Sequence, residues 1–382
     1  MPSITDLWRQ GENSAVEFKS ASVRPESLAH EMVAFANTDG GSILLGVEDD
    51  GRVSGIGTEL DYEQWAANIA RNNVVPALDA RLSIERLENQ RVLLIDIPKG
   101  RDKPYQTNTN QFLVRVGSTN RVATQQELMR LFQQAGVFHF DLTPVERASI
   151  QSLDLSKIDA YFQRYDVDFE QDENRDGLLI NTDILTEERL PTLAGLLVFG
   201  INPQRYLSDA CISFAHFAGA QIDEELIDKQ VIGGTLDRQV EGTLAVIKNN
   251  LREGSIIEGA KTRPTDYYYP DKVFRELLVN ACVHRNYAIH GSRIRVFLFS
   301  DRIEVISPGR LPNTVTIEKL RCGVSYAVNP VLVKFMENLR FIDKLGRGLP
   351  MVYREAVTHD RQVIFEEVGE EFRVILGLHD QA

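Results

Sequence analysis

The chain has 382 residues, 43% hydrophobic and 25% charged, which is ordinary for a soluble globular protein and long enough for about two or three domains. A formal net charge of −13 excludes a general polyanion binder, so any nucleic-acid site has to be a local basic patch. Cys211, Cys282 and Cys322 form neither a disulfide framework nor a zinc spacing, the first residues hold no apolar leader core, and no later apolar run approaches a membrane span. A cytoplasmic protein with no membrane partner is therefore expected.

In chain order, the first informative stretch is Glu12 to Gly51. Val16 to Lys19 is a short strand, and Pro25 and Ser27 open a helix with Leu28, Met32, Phe35 and Ala36 at helical spacing. Asn37, Asp39 and Gly40-Gly41 stop that helix. Ser42 to Val47 reads as a buried strand, and Asp49-Asp50-Gly51 turns the chain into Val53 to Ile56. Glu12, Glu17 and Asp49 thus fall at element edges of one small α/β unit. Carboxylates gathered in this way repel unless a cation neutralises them, and hard oxygen ligands suit Mg²⁺ or Mn²⁺. Asp49 is equally well explained as a turn residue, and Glu12 as a solvated acid. Lys19 shares a strand face with Glu17 and is placed to meet a phosphate.

EFK followed by AFANTDGG and LLGVEDDG resembles the Schlafen/AlbA-type nucleic-acid-binding domain over roughly residues 10 to 135. In nuclease members of that family two glutamates and an aspartate hold divalent metal and cleave RNA, and the resemblance places those roles on Glu12, Glu17 and Asp49. Other members are DNA-binding regulators. The resemblance therefore implies nucleic acid, DNA or RNA, and leaves cleavage open.

Further along, Asp61 to Asn72 is a helix, and Arg81 to Glu85 and Arg91 to Ile97 are paired strands. Lys99, Arg101 and Lys103 cluster in a Gly/Pro-containing loop. A strand over Gln111 to Val116 runs into a loop carrying Arg115, Gly117, Ser118 and Arg121. Such loops either contact phosphate or are simply solvated; the family's similar RVGS segment favours phosphate. Gln125 to Gln134 is a helix that closes a domain of residues 1–135.

Residues 136–264 read as a connecting, bracing segment without chemistry. Ile158 to Tyr165 is a short helix, Asp166 to Gly177 an exposed acidic loop, Pro191 to Gly200 a buried helix or strand, Cys211 to Phe217 a strand and Leu236 to Leu251 a helix.

The third segment, 265–382, opens with a helix reading DKVFRELLVNACVHRNY. Phe274, Leu277, Leu278 and Ala281 form its core face, while Glu276, Asn280 and His284 share one stripe. Asn in an apolar helix needs a partner: either Glu276 and Asn280 satisfy each other, or Glu276 orients a water and Asn280 holds Mg²⁺ on a nucleotide's phosphates. Ile294 to Phe299 and Arg302 to Ser307 form a hairpin, SPGRLP follows, and Leu345-Gly346-Arg347-Gly348 opens another helix. The order of these motifs resembles the GHKL ATP-binding fold, in its divergent helicase-related branch, over roughly 265 to 380. The resemblance implies Glu276 as general base, Asn280 as metal ligand, His284 beside the cofactor, Gly309 at the adenine-side turn, and Gly346 and Gly348 at the phosphate lid. The usual adenine-contacting Asp has no counterpart in SPGRLP, and Val328-Asn329-Pro330 stands where the branch commonly has Arg-Asn-Pro, so nucleotide binding is expected over efficient hydrolysis. Val363 to Leu378 reads as a hairpin, and no winged-helix tail is expected after it.

The expected fold class is α/β, of the α+β kind, with a GHKL-like sandwich at its C-terminal end. The expected function is an ATP-binding, nucleic-acid-acting protein that self-associates as a homo-oligomer. Its N-terminal site is either a metal-dependent nuclease, for example in antiviral defence, or a non-cutting transcription regulator; an interaction scaffold is the third class.

Overall fold

The structure is a computed structural model that describes residues 3–252, 257–258, 261–262, 269–312, 315–321, 323, 326–342 and 348–378. It divides into two compact units, Met1–Phe138 and His139–Ala382. Both mix helices with sheets, as an α+β chain should.

The first unit begins with helix α1 (Ile4–Gln10), which the sequence did not signal. Ser3 and Asp6 form a capping box at its start, and Ile4 and Leu7 bury against Val16, Phe18, Leu44 and Val47. Strand β1 (Val16–Lys19), helix α2 (Pro25–Asn37) and strand β2 (Gly40–Leu45) follow. Pro25 at the first helical position presets φ, and Leu28, Met32 and Phe35 enter the core. Helix α3 (Tyr62–Asn72) is capped by Asp61. Strands β3 (Arg81–Leu87) and β4 (Gln90–Pro98) are joined through Glu88 and Asn89, whose φ of 47° and 64° suit a tight hairpin turn. The sheet order is β1-β2-β4-β3, with β1 parallel to β2 and the other pairs antiparallel. Segment 115–121, expected as a loop, is a hairpin of β5 (Leu113–Val116) and β6 (Thr119–Val122). Helix α4 (Gln125–Gln134) starts at a Thr124/Glu127 capping box.

In the second unit, helices α5 (Leu155–Phe162), α6 (Arg175–Asn181) and α7 (Leu193–Phe199) precede strands β7 (Ile212–Phe217) and β8 (Leu226–Ile232). Helices α8 (Leu236–Arg252) and α9 (Asp271–Val283) lead into hairpin β9 (Ile294–Leu298) and β10 (Arg302–Pro308). Helices α10 (Ile317–Arg321), α11 (Pro330–Asn338) and α12 (Gly348–Thr358) and hairpin β11 (Val363–Val368) and β12 (Glu371–Gly377) complete it. The stretch 191–200, left open between helix and strand, is helix α7.

One six-stranded sheet, ordered β8-β7-β9-β10-β12-β11, organises this unit. The middle of the chain supplies its β8 and β7 side, and β9 joins parallel to β7. The main apolar core draws on residues from Ala148 to Leu378, and a small second cluster gathers Ala215, Phe217 and Phe299. Helix α9 lies against α8, α12 and β10. Asp141 is fully buried and its Oδ2 accepts the Val331 and Leu332 amides at 2.8 and 3.1 Å, capping α11.

Candidate functional site

Helix α9 ends at Val283, short of the Tyr287 expected from sequence; it buries Val273, Phe274, Leu277 and Leu278 and turns Glu276, Asn280 and its C-cap His284 to one cavity of about 150 Å³. The same cavity is lined by Ser307 and Gly309 at the end of β10 and by Gly348 at the start of α12. Five of the six residues expected at a nucleotide therefore converge; Gly346 lies outside the described residues. The rest of the wall is mostly apolar, including Val279, Val283, Leu311, Val315, Leu349 and Phe372.

Inside the cavity the Asn280 amide nitrogen donates to the Glu276 carboxylate Oε1 at 2.6 Å and to the Glu276 carbonyl at 2.7 Å. Both bonds use Nδ2, so neither commits the amide oxygen, the atom able to ligate a cation. Burial pulls the His284 imidazole down to about 4, so it is neutral at neutral pH. Gly309 adopts φ +122°, and a Cβ there would stand 2.8 Å from the Asn286 Cβ, so only glycine fits. A Cβ on Gly348 would stand 1.6 Å from Glu276 Oε1, so the backbone opening α12 rests directly on that carboxylate. The Ser307 hydroxyl donates to the Ala281 carbonyl at 2.9 Å and ties β10 to α9. Sequence reasoning quoted Ser307 only as part of SPGRLP, with no role, and did not single out Phe372; nothing in their spacing marks a shared wall.

In the first unit, Glu12, Glu17 and Asp49 do not converge as a metal cage. Glu12 and Asp49 are exposed and line one cavity with Trp8 and Phe18, to which Glu17 does not contribute. Glu12 Oε1 accepts the Phe18 amide at 3.1 Å, and Asp49 sits at the tip of the turn closed by the Gly51 amide to the Glu48 carbonyl at 2.8 Å. Glu17 is buried, with Oε1 bonded to Lys19 and Oε2 to Arg115 Nη2 at 2.7 Å. Among the described residues no three His, Cys, Asp or Glu side chains are grouped to hold a metal ion. The divalent cation that the Schlafen/AlbA resemblance implies therefore does not fit these three residues.

The basic residues separate into two groups. Arg115, expected at a phosphate, is buried instead: its side chain is 1% exposed, it bonds the Asn13 and Val16 carbonyls, Glu17, Glu31 and Asn120, and it lies over the Phe35 ring. Lys103 is buried as well, its Nζ donating to the Thr38 carbonyl at 2.6 Å. Arg101 and Ser118 are exposed, and Lys99 is half-buried. Arg121 is exposed and forks onto Glu127 with two 2.7 Å bonds, a pairing that draws the Glu127 carboxyl down to about 2. Lys19 and Ser118 line a groove of about 890 Å³ together with His30, Glu31, Arg52 and Asn120.

Two family models match the chain. Residues 12–124 match the family described as Schlafen, AlbA_2. Residues 291–376 match the one described as Putative ATP-dependent DNA helicase recG C-terminal. A Schlafen/AlbA_2 segment is thus followed by a recG C-terminal-type segment, an order that speaks for nucleic-acid association and ATP binding. The second match starts after α9, so Glu276, Asn280 and His284 precede it. Among solved structures, the DIP2311 protein from Corynebacterium diphtheriae is 22% identical with a TM-score of 0.47, covering 96% of this chain and 65% of that one. The present chain thus spans 65% of the length of that protein. The N-terminal domain of a putative ATP-dependent DNA helicase RecG-related protein from Nitrosomonas europaea is 25% identical with a TM-score of 0.27, over 33% of this chain and 92% of that one. No curated protein matches. Among the described residues no helix is long and apolar enough to cross a membrane.

Proposed function

We propose that the second unit binds ATP in the α9 cavity and that the first unit binds nucleic acid without cutting it. The observation that carries the nucleotide half is the convergence of Glu276, Asn280, His284, Gly309 and Gly348 on one cavity with apolar walls. An apolar slot with a few convergent polar groups suits a nucleobase and its phosphates. Asn280 would hold, through its amide oxygen, the Mg²⁺ that shields the phosphate charge when the nucleotide is bound. Glu276 faces the same space from one turn earlier, where it can orient a water. Its bond to Asn280 has to loosen for the two to act separately, which favours binding over rapid hydrolysis. Calorimetric titration with Mg-ATP tests this: wild type binds, and Asn280→Ala loses most of its affinity.

For the first unit, the engagement of both Glu17 oxygens by Lys19 and Arg115 favours binding over cleavage. A regulator of transcription whose hold on DNA follows nucleotide occupancy is the role this combination suits. The second reading is a metal-dependent nuclease, favoured by the shared cavity of Glu12 and Asp49. Mn²⁺-dependent cleavage by wild type that disappears in Glu17→Gln would establish the nuclease. Salt-dependent binding in EDTA with no cleavage in Mn²⁺ supports the regulator.

A further inference from the structure

We infer that the Lys19 ammonium occupies the bridging position a divalent cation would take between two carboxylates, Glu17 and Glu31, and that the groove above them works without metal. The inference deepens, and rests on, the reading of the first unit as a non-cutting nucleic-acid binder. Glu31 belongs to α2 and Glu17 to β1; α2 is the crossover that makes β1 and β2 parallel, and it packs against β2. Four groups close a ring. Lys19 Nζ bonds Glu17 Oε1 and lies 3.3 Å from Glu31 Oε1. Arg115 Nη2 meets Glu17 Oε2 at 2.7 Å, and its Nη1 meets Glu31 Oε2 at 3.3 Å. Each cation therefore spans both carboxylates, one on each side. Asn120 from β6 adds a hydrogen bond to Glu31 Oε2.

Two negative and two positive charges cancel within the ring. That balance is what allows it to sit largely out of water, since an uncompensated buried charge is strongly unfavourable. The side chains of Glu17 and Glu31 are only 7% and 12% exposed, and Arg115 closes the ring from the interior. Lys19, at 20%, is the most exposed member and lines the groove with Glu31 and Asn120. The ring thus meets the groove through Lys19, its most exposed member, with Glu31 beside it. Burial works against its ammonium, but the hydrogen bond to Glu17 and the charge of Glu31 outweigh burial and keep it protonated. Carboxylate oxygens at a groove floor, one cation short, would form a hard-oxygen site for Mg²⁺ or Mn²⁺. Here the fourth corner is already filled by the chain itself.

The experiment is thermal unfolding followed by tryptophan fluorescence, in millimolar Mn²⁺ and in EDTA, without nucleic acid. Both tryptophans, Trp8 and Trp65, lie in the first unit, so the signal reports that unit. Wild type is expected to unfold at the same temperature in both buffers. Lys19→Ala leaves two carboxylates with one cation and is expected to gain several degrees in Mn²⁺ over EDTA, whereas Lys19→Arg is expected to be Mn²⁺-indifferent like wild type. If Lys19→Ala folds only with Mn²⁺, that too supports the inference. A wild type stabilised by Mn²⁺ overturns it, as does a Lys19→Ala protein that is indifferent to Mn²⁺ or unfolded in both buffers. Because no nucleic acid is present, these outcomes are separate from whether the unit binds nucleic acid, which salt-dependent binding in EDTA decides.

Discussion

Replacing Arg115 by Met distinguishes a buried counterion from a phosphate contact. The guanidinium makes bonds to two main-chain carbonyls, to Glu17, Glu31 and Asn120, with its side chain 1% exposed. Met retains an apolar stem near Phe35 but leaves two buried carboxylates with Lys19 as their remaining cation within the ring. Removing one partner from a buried ion pair costs about 3–5 kcal/mol. For a unit of this size each kcal/mol lowers the melting temperature by about 3–5 °C, so a fall of roughly 10–20 °C is expected. Tryptophan fluorescence reads it, since Trp8 and Trp65 both report the first unit. Adding Glu17→Gln to Arg115→Met should recover part of the loss by relieving carboxylate repulsion, a coupling that a double-mutant cycle measures. A fall of less than about 3 °C, no more than about 1 kcal/mol, would refute the counterion role. A stable Arg115→Met protein whose nucleic-acid binding loses about one unit of salt slope would return Arg115 to the phosphate.

Three further outcomes follow from the geometry. Arg121→Ala should change stability by less than about 1 kcal/mol, because its pair with Glu127 is exposed, but should make the salt dependence of nucleic-acid binding shallower if Arg121 reaches phosphate. Gly309→Ala should destabilise the second unit by roughly 1–3 kcal/mol in calorimetry, since alanine is strained at φ +122° and its Cβ meets Asn286. For His284 the folded value of about 4 lies below the ordinary 6.5, so the unfolded chain binds the extra proton. Stability of the second unit is therefore full above pH 6.5 and declines as pH falls towards 4; His284→Gln should flatten that decline in a pH series of melting curves.

Much of this was readable from local pattern. The α2 apolar spacing, the β1 and β2 strands and the pair Glu276 and Asn280, with His284 at the cap of the same helix, are local features, where periodicity reports burial directly. The ring around Lys19 was not readable, because Arg115 meets Glu17 across 98 residues of sequence and Glu31 across 84. The RVGS segment shows two arginines in similar company, yet packing buries Arg115 and exposes Arg121. Strand β8 escaped notice because both of its faces are largely open, so no alternation of apolar and polar residues marks it. Helix α11 begins at Asn329-Pro330, a pair that reads as a turn until Asp141, far away in sequence, supplies its cap.

The nucleotide site is tested most directly by calorimetric titration of Mg-ATP into wild type, Asn280→Ala and Glu276→Ala. Wild type is expected to bind one equivalent. Asn280→Ala should weaken binding by roughly tenfold or more, the loss of about 1.4 kcal/mol or more at a charge-bridging ligand. Glu276→Ala should bind as well as wild type or better, because a carboxylate is removed from the phosphate side of the cavity. Absence of binding to the wild type, or equal affinities for all three proteins, would mean that Glu276 and Asn280 only satisfy each other on a core helix.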